Sequence, residues 1–291
     1  MAGLKEVRIR IASVKSTQQI TSAMKMVSAS KLKRAQNAIL KMRPYAGKLK
    51  EILENLSSSL SNSENIYSNK RKIKNVLIVV ITSNRGLCGA FNSNVIKEAN
   101  NIIQNNYAEL AKSENVEIMC IGKKGADFFT KRKYNVFESN INIFDSLNFE
   151  NVAPIAEKLM KVFSDGKYDK IEVVYNQFKN AAVYTLVREQ FLPIIQSKLT
   201  KNKSVADYIF EPGKEQIVSE LIPKSLKIQF YKMLLDSYAS EHGARMTAMH
   251  KATDNADSLL KELRLNYNKA RQASITNEIL EIVSGAEALK G

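Results

Sequence analysis

Arg271, Gln272, Ser274, Thr276 and Asn277 stand within seven residues near the end of the chain, in the run A-R-Q-A-S-I-T-N-E-I at 270–279. Guanidinium, amide and hydroxyl groups at that density form a surface of directional hydrogen-bonding groups. The plain reading is a polar helix face against solvent. The flanking Ile275 and Ile279 suggest another, a helix end sheathed by a partner that covers its apolar side and bonds selected polar groups. A second candidate is the loop S-N-R-G-L-C-G-A-F-N at 83–92, whose Gly86 and Gly89 fall between an apolar run and a helical pattern. That is where α/β proteins bind phosphates. Yet neither G-x-G-x-x-G nor G-x-x-x-x-G-K-[ST] occurs, and glycines also serve plain turns. Cys88 in that loop could be a nucleophile only with a base, and the two histidines, His242 and His250, lie far along the chain. The run G-K-K-G at 122–125 has the spacing of a nucleic-acid-binding loop, but four residues also open an ordinary helix. His242 and His250, eight apart, can share a helix face but lack a third ligand for a metal, so both read as surface or seam residues.

Charge narrows the partner. Residues 1–57 carry 12 Lys/Arg against 3 Asp/Glu, a net +9, while 213–291 carry 11 against 10. A basic first segment calls for an acidic partner: nucleic acid, anionic lipid or an acidic protein surface. The basic residues are spread along the segment, and Tyr45 is its one aromatic residue, which favours the protein surface over nucleic acid. Two cysteines in 291 residues give no disulfide framework. No apolar run reaches the roughly 20 residues that span a bilayer, and M-A-G-L-K-E-V lacks the apolar stretch of a signal peptide.

The elements that must position these residues are of two kinds. Residues 4–60 read as one helix with a heptad seam: Leu4, Val7, Ile11, Val14, Gln18, Thr21, Lys25, Ser28, Leu32, Ala35, Ile39, Met42, Ala46, Leu49, Leu53, Leu56 and Leu60. Between Gln18 and Ser28 the seam is polar, and the apolar residues shift to Ile20, Met24 and Val27. Pro44 predicts a kink or break. Residues 224–289 read as a second helix, with a seam from Ile228 through Tyr231, Leu235, Tyr238, His242, Arg245, Met249, Ala252, Ala256, Leu259, Leu263, Asn266 and Ala270, then a stripe of Ile275, Ile279, Ile282, Ala286 and Leu289. Helices that long pair most economically as an antiparallel coiled coil. Between them, apolar β-branched runs at 74–81, 116–121, 170–175 and 181–187 alternate with helical stretches at 93–104, 122–131 and 152–163. That grammar predicts a small Rossmann-like α/β domain with a mainly parallel sheet. The expected fold class is therefore α/β plus a long antiparallel coiled coil. Its regions are 1–60 and 213–291 as a helical shaft and 61–212 as a central domain.

At this point whole motifs become legible. The openings M-A-G-L-K-E-V-R-I-R-I-A-S-V at 1–14, T-Q-Q-I-T at 17–21 and A-M-K-M-V-S-A-S-K at 23–31, the loop at 83–92, and the endings A-R-M-T-A-M at 244–249, A-T-D-N-A at 252–256 and Y-N-K-A-R-Q-A-S-I-T at 267–276 resemble the gamma subunit of F-type ATP synthases, in order and over the whole length. The resemblance implies a rotor shaft without chemistry of its own: no catalytic, cofactor-binding or metal-binding residue. The implied partners are the alpha and beta subunits of the catalytic head, the epsilon subunit and the membrane c-ring, with no nucleic acid and no insertion into the membrane. Arg245, Gln272 and Thr276 match positions that touch a catch loop on a beta subunit. Met24, with Lys25 beside it, matches a position facing acidic beta loops. Arg85, Gly86, Cys88 and Gly89 match the family's loop signature. Asn84 stands where the family usually has Asp, and Ala90 where Gly is common. No insert carries the paired cysteines of the light-regulated chloroplast form. The implied location is the cytoplasmic side of a bacterial inner membrane, held peripherally. An α/β nucleotide-binding enzyme and a basic coiled-coil nucleic-acid-binding protein remain the alternatives.

Overall fold

The structure, a computed structural model, describes residues 4–57, 66–68, 71–194 and 214–289. In chain order its elements are α1 (Leu4–Ser57), β1 (Val76–Ile81), α2 (Phe91–Asn106), α3 (Ala108–Lys112), β2 (Val116–Ile121), α4 (Lys123–Lys131), β3 (Val136–Asn140), α5 (Phe149–Ser164), β4 (Lys170–Phe178), β5 (Tyr184–Leu192) and α6 (Lys214–Ala288). Two compact units result: Ala29–Arg245, and Met1–Ser28 with Met246–Gly291.

The 29–245 unit is built on a sheet of order β3-β2-β1-β4-β5. All neighbours are parallel except β4 and β5. β1 is V-L-I-V-V-I, and every residue of it is buried. An uninterrupted apolar strand is what a sheet covered on both faces requires. Leu77, Val79 and Ile81 pack with Val152, Leu159 and Phe163 of α5 and with Leu226, Phe230 and Leu234 of α6. Val76, Ile78 and Val80 join Val95, Ala99 and Ile102 of α2 and Phe129 of α4. The alternation of the two sets follows the period-2 pleat. The sequence pattern holds no sign of β3, because V-F-E-S-N is a short edge strand with no fully buried residue. It also places the last strand too early, since its residues pair only from Tyr184 onward.

Neither proline ends its helix: α1 is unbroken at Pro44, and α6 starts before Pro223 instead of after it. Pro44 lies inside α1, and α6 begins at Lys214, with Pro223 within it. A proline inside a helix costs about 3 kcal/mol. Around Pro223 that cost is offset by Ile222 and Leu226, which are buried against the sheet, at roughly 1.5–3 kcal/mol per large apolar side chain. Of the proposed seam in α1, Leu32, Ala35, Ile39 and Leu49 are buried and Met42 and Ala46 half-buried. Leu53, Leu56 and Leu60 fall outside the described side chains.

The other unit pairs residues 4–28 of α1 with the second half of α6. Thr21 Oγ1 meets Thr253 Oγ1 at 2.9 Å, and Gln18 Nε2 donates to Asp257 Oδ1. Rising numbers on one helix match falling numbers on the other, so the pair is antiparallel. The seam does not shift to Ile20 and Val27, which are 60% and 58% exposed. It stays on Gln18, Thr21, Lys25 and Ser28, all buried or half-buried. The cross-helix bonds satisfy Thr21 and Gln18, and Ser28 Oγ donates to Met24 O at 2.8 Å, so polar residues can hold the line. On α6 the buried and half-buried line runs Met249, Thr253, Ala256, Leu260, Leu263, Tyr267, Ala270 and Ser274. It thus takes Thr253, Leu260 and Tyr267 in place of the expected Ala252, Leu259 and Asn266; Ala252 and Leu259 are half-buried beside the line and Asn266 is exposed.

Candidate functional site

Where a doubly wound sheet usually holds a ligand, at the C-terminal end of its strands, this chain places its own arginine. Arg245 is 6% exposed. Its Nε donates to Gly86 O at 3.3 Å, and its Nη2 donates to Arg85 O at 3.0 Å and Gly86 O at 3.3 Å. Nη1 pairs with Glu241 Oε1 at 2.7 Å, one helical turn away, and lies 3.3 Å from His242 Nδ1. The loop is shaped to offer those carbonyls. Ser83 N donates to Asn92 Oδ1 at 2.9 Å, Ser83 Oγ donates to Arg85 O at 2.7 Å, and Asn92 Nδ2 approaches Cys88 Sγ at 3.3 Å. Gly89 takes φ +60, and so does Leu87 at φ 61 despite its side chain. The loop therefore presents oxygen atoms to a cation, whereas a phosphate cradle needs N–H groups.

Burial governs the electrostatics. Desolvation pushes the Glu241 carboxyl above the usual carboxylate range, although Arg245 pulls the other way. Burial, with Arg245 and Lys31 adding to it, lowers the His242 imidazole to about 3, so it is neutral near pH 7. Its Nδ1 then accepts from Arg245, which leaves the proton on Nε2, a buried atom without a partner among the described residues. Burial raises the Cys88 thiol and pushes Cys120 up to about 12. Neither is a ready thiolate. A separate cluster joins buried Glu172 to Lys170 Nζ at 2.7 Å, Arg188 Nε at 2.9 Å and Tyr107 OH at 3.0 Å. Burial alone would raise the Glu172 carboxyl, but the bonds from Arg188 and Lys170 outweigh it and lower it. The buried carboxylate there is paired with both cations, as a structural brace requires.

The G-K-K-G run is a helix start packed on Thr82. Lys123 N donates to Asn84 Oδ1, Lys124 N to Ser83 O and Gly125 N to Thr82 Oγ1, at 2.9, 3.0 and 2.9 Å. The first amides of α4 are thus occupied internally. Gly122 has φ +97, and a Cβ there would lie 2.1 Å from Thr82 O. Asn84 has a second bond, Nδ2 to Ile141 O at 2.6 Å, which an aspartate could not donate. Ala90 sits at φ −82, where glycine has no advantage.

The other sequence-predicted residues lie in the helical unit. Met24 and Lys25 are half-buried, near the level of Thr253; Gln272 and Thr276 are exposed. Thr276 Oγ1 donates to Gln272 O at 2.9 Å, and half-buried Ser274 donates to Glu278 Oε1 at 3.2 Å. The register set by Thr21 and Thr253 brings Leu4 level with residue 270 (21 + 253 − 4). Past residue 270, α6 has no described α1 residue opposite it, and Ile275, Ile279, Leu280, Ile282 and Val283 are all exposed. Sequence reading missed Glu241 and the partners of His242. The only available signal was their i, i+3 and i+4 spacing to Arg245. His250 is exposed and faces Asp254.

The family model described as ATP synthase matches residues 3–289. The ATP synthase gamma chain of Flavobacterium psychrophilum is 60% identical over 100% of both chains. That of Cytophaga hutchinsonii is 56% identical over 99% of each. The chain belongs to the ATP synthase gamma-chain family. A solved chain of the central stalk and c-ring of Tetrahymena thermophila mitochondrial ATP synthase is 28% identical, with TM-score 0.62 over 80% of this chain and 99% of that one. A chain of the Euglena gracilis mitochondrial enzyme, 23% identical, shares the fold with TM-score 0.70 over 98% and 94%. As a gamma chain the protein is a non-catalytic subunit, the central rotor shaft of an ATP synthase. Arg85 and Gly86 of the loop at 83–92 and Arg245, some 160 residues apart in the chain, form one internal joint.

Proposed function

We propose that this rotor couples proton-driven rotation of a membrane c-ring to ATP synthesis and hydrolysis on a ring of alternating alpha and beta subunits, with the epsilon subunit beside its base. The functional division into 1–60, 61–212 and 213–291 is part of that proposal. The observation that carries it is the end of α6, where exposed Ile275, Ile279, Leu280, Ile282 and Val283 run past the last described α1 counterpart. A contiguous apolar surface of that kind needs a cover, and a sleeve of ring subunits supplies one while leaving the helix free to turn. Gln272 and Thr276, exposed at the start of that stretch, bond the beta catch loop. Met24 and Lys25 face acidic beta loops, to which the net +9 of residues 1–57 is complementary. No helix among the described residues is long and apolar enough to cross a membrane. The proposed location is the cytoplasmic face of a bacterial inner membrane, reached through partners.

A turning shaft shifts a catalytic site only through contacts that differ between its states. Taking an equilibrium from 1:99 to 99:1 needs about 5.5 kcal/mol, which a few hydrogen bonds at roughly 1–3 kcal/mol each can supply. Arg245 enters on different terms, since its guanidinium is already bonded within the chain. It acts on the ring through the loop it holds, or by exchanging one of those bonds for a beta acceptor. The test is the assembled complex carrying Gln272→Ala and Thr276→Ala. Both side chains are exposed, so assembly and melting temperature should hold while ATP turnover falls roughly tenfold. Normal turnover in the double variant would overturn the proposed contacts.

A further inference from the structure

The best-built cluster outside the exposed contacts is the one around Arg245. An arginine this deeply buried needs a counter-charge, and Glu241 is the carboxylate that supplies it, at 2.7 Å. Glu241 is itself 6% exposed and His242 5%, so both are built into the interior. His242 keeps a buried Nε2 unpartnered among the described residues. A donor left unsatisfied is tolerated only for something gained elsewhere, and what His242 gives is the Nδ1 acceptor beside Arg245. The loop they face is strained. Leu87 sits at φ 61, a left-handed conformation that persists in a bulky residue only where its surroundings enforce it. Cys88, the next residue, is 1% exposed beneath the loop.

We infer that Glu241 and His242 are positioning residues that hold Arg245 as a cation plug in the carbonyl socket of Arg85 and Gly86, and that this plug keeps residues 85–87 closed over Cys88. The lock deepens the proposed role of Arg245 and rests on that reading only for its effect in the assembled complex. The charge is supplied by Glu241, the direction of the guanidinium fork by Glu241 and His242 together.

The chain carries its own probe. Cys88 is buried within the loop, whereas Cys120 lies in β2, an inner strand of the sheet. In the full-length chain, a thiol-specific reagent should label both slowly. Glu241→Gln should speed labelling of Cys88 by roughly tenfold or more, as loss of a charged hydrogen bond shifts local opening, while Cys120 stays slow. Glu241→Asp, which keeps the charge, should restore much of the protection. Equal acceleration of both thiols would mean general loosening and would overturn the lock, as would no acceleration in either variant. The assembled complex then separates the two readings. If Glu241→Gln opens Cys88 and also lowers the number of protons pumped per ATP, lock and coupling role both stand. If Cys88 opens and pumping is unchanged, the lock stands and the coupling role of Arg245 falls.

Discussion

Replacing Gly243 by alanine sets helix propensity against packing. Gly243 lies in the interior of α6 and is buried. On propensity alone, Gly→Ala in a helix gains about 1 kcal/mol. A Cβ at Gly243, however, would lie 2.7 Å from Ala181 O and 3.4 Å from Ala181 C. Those atoms are backbone, in the turn that joins β4 to β5. That turn is pinned, because Asn180 Oδ1 accepts from Ala182 N at 3.0 Å and from Val183 N at 2.8 Å. Relief therefore requires moving α6 or the hairpin, and overpacking of this kind costs about 1–3 kcal/mol. The net is a loss of up to about 2 kcal/mol, or several degrees in melting temperature at roughly 2–4 °C per kcal/mol. Gly47 in α1 is the control, since a Cβ there meets nothing within 4 Å among the described residues. Gly47→Ala should raise stability by about 1 kcal/mol, so the gap between the two variants isolates the packing cost. Urea titration of each full-length variant gives the free energies. Equal stabilisation of both would refute the claimed contact between α6 and the hairpin turn.

Two further outcomes follow from hydrogen-bonded polar groups. His242 has a pKa of about 3 when folded against about 6.5 when unfolded. Between those values the unfolded chain binds a proton the folded chain does not, so His242 withdraws stability as pH falls through that window. Glu241, raised by burial, acts in the opposite sense above its unfolded value of roughly 4.3. His242→Gln should therefore remove the acid-side loss and leave a stability that declines as pH rises from that point, measured by denaturant titration from pH 4 to 8. Asn84→Asp keeps an acceptor for Lys123 N but sets a carboxylate against Ile141 O, where Asn84 now donates at 2.6 Å. It should cost about 1–2 kcal/mol at pH 7, and the loss should shrink below about pH 4, where a protonated aspartate can donate again.

The sequence by itself determined the parts whose signals are local and periodic. The uninterrupted apolar run at 76–81 marks a strand covered on both faces, because only a doubly buried strand can be apolar throughout. A 3-4 spacing over many turns marks helices long enough to pair. The motifs at both ends and in the loop marked the family. Tertiary structure decided what depends on neighbours distant in sequence. Whether the seam near Gln18 moves to Ile20 or stays polar turned on Thr253 and Asp257, more than 230 residues away. Pro223 lies inside a helix because burial of Ile222 and Leu226 outweighs a missing amide. Residues 271–273 and 275–279 are exposed because the described part of α1 ends at Leu4, level with residue 270. Arg245, on sequence a candidate to reach outward, is turned inward because Gly86 and Arg85 lie within bonding distance, some 160 residues earlier in the chain. No periodicity could have announced that contact, since the energy that fixes it comes from a loop carbonyl whose direction is set only by the folded sheet.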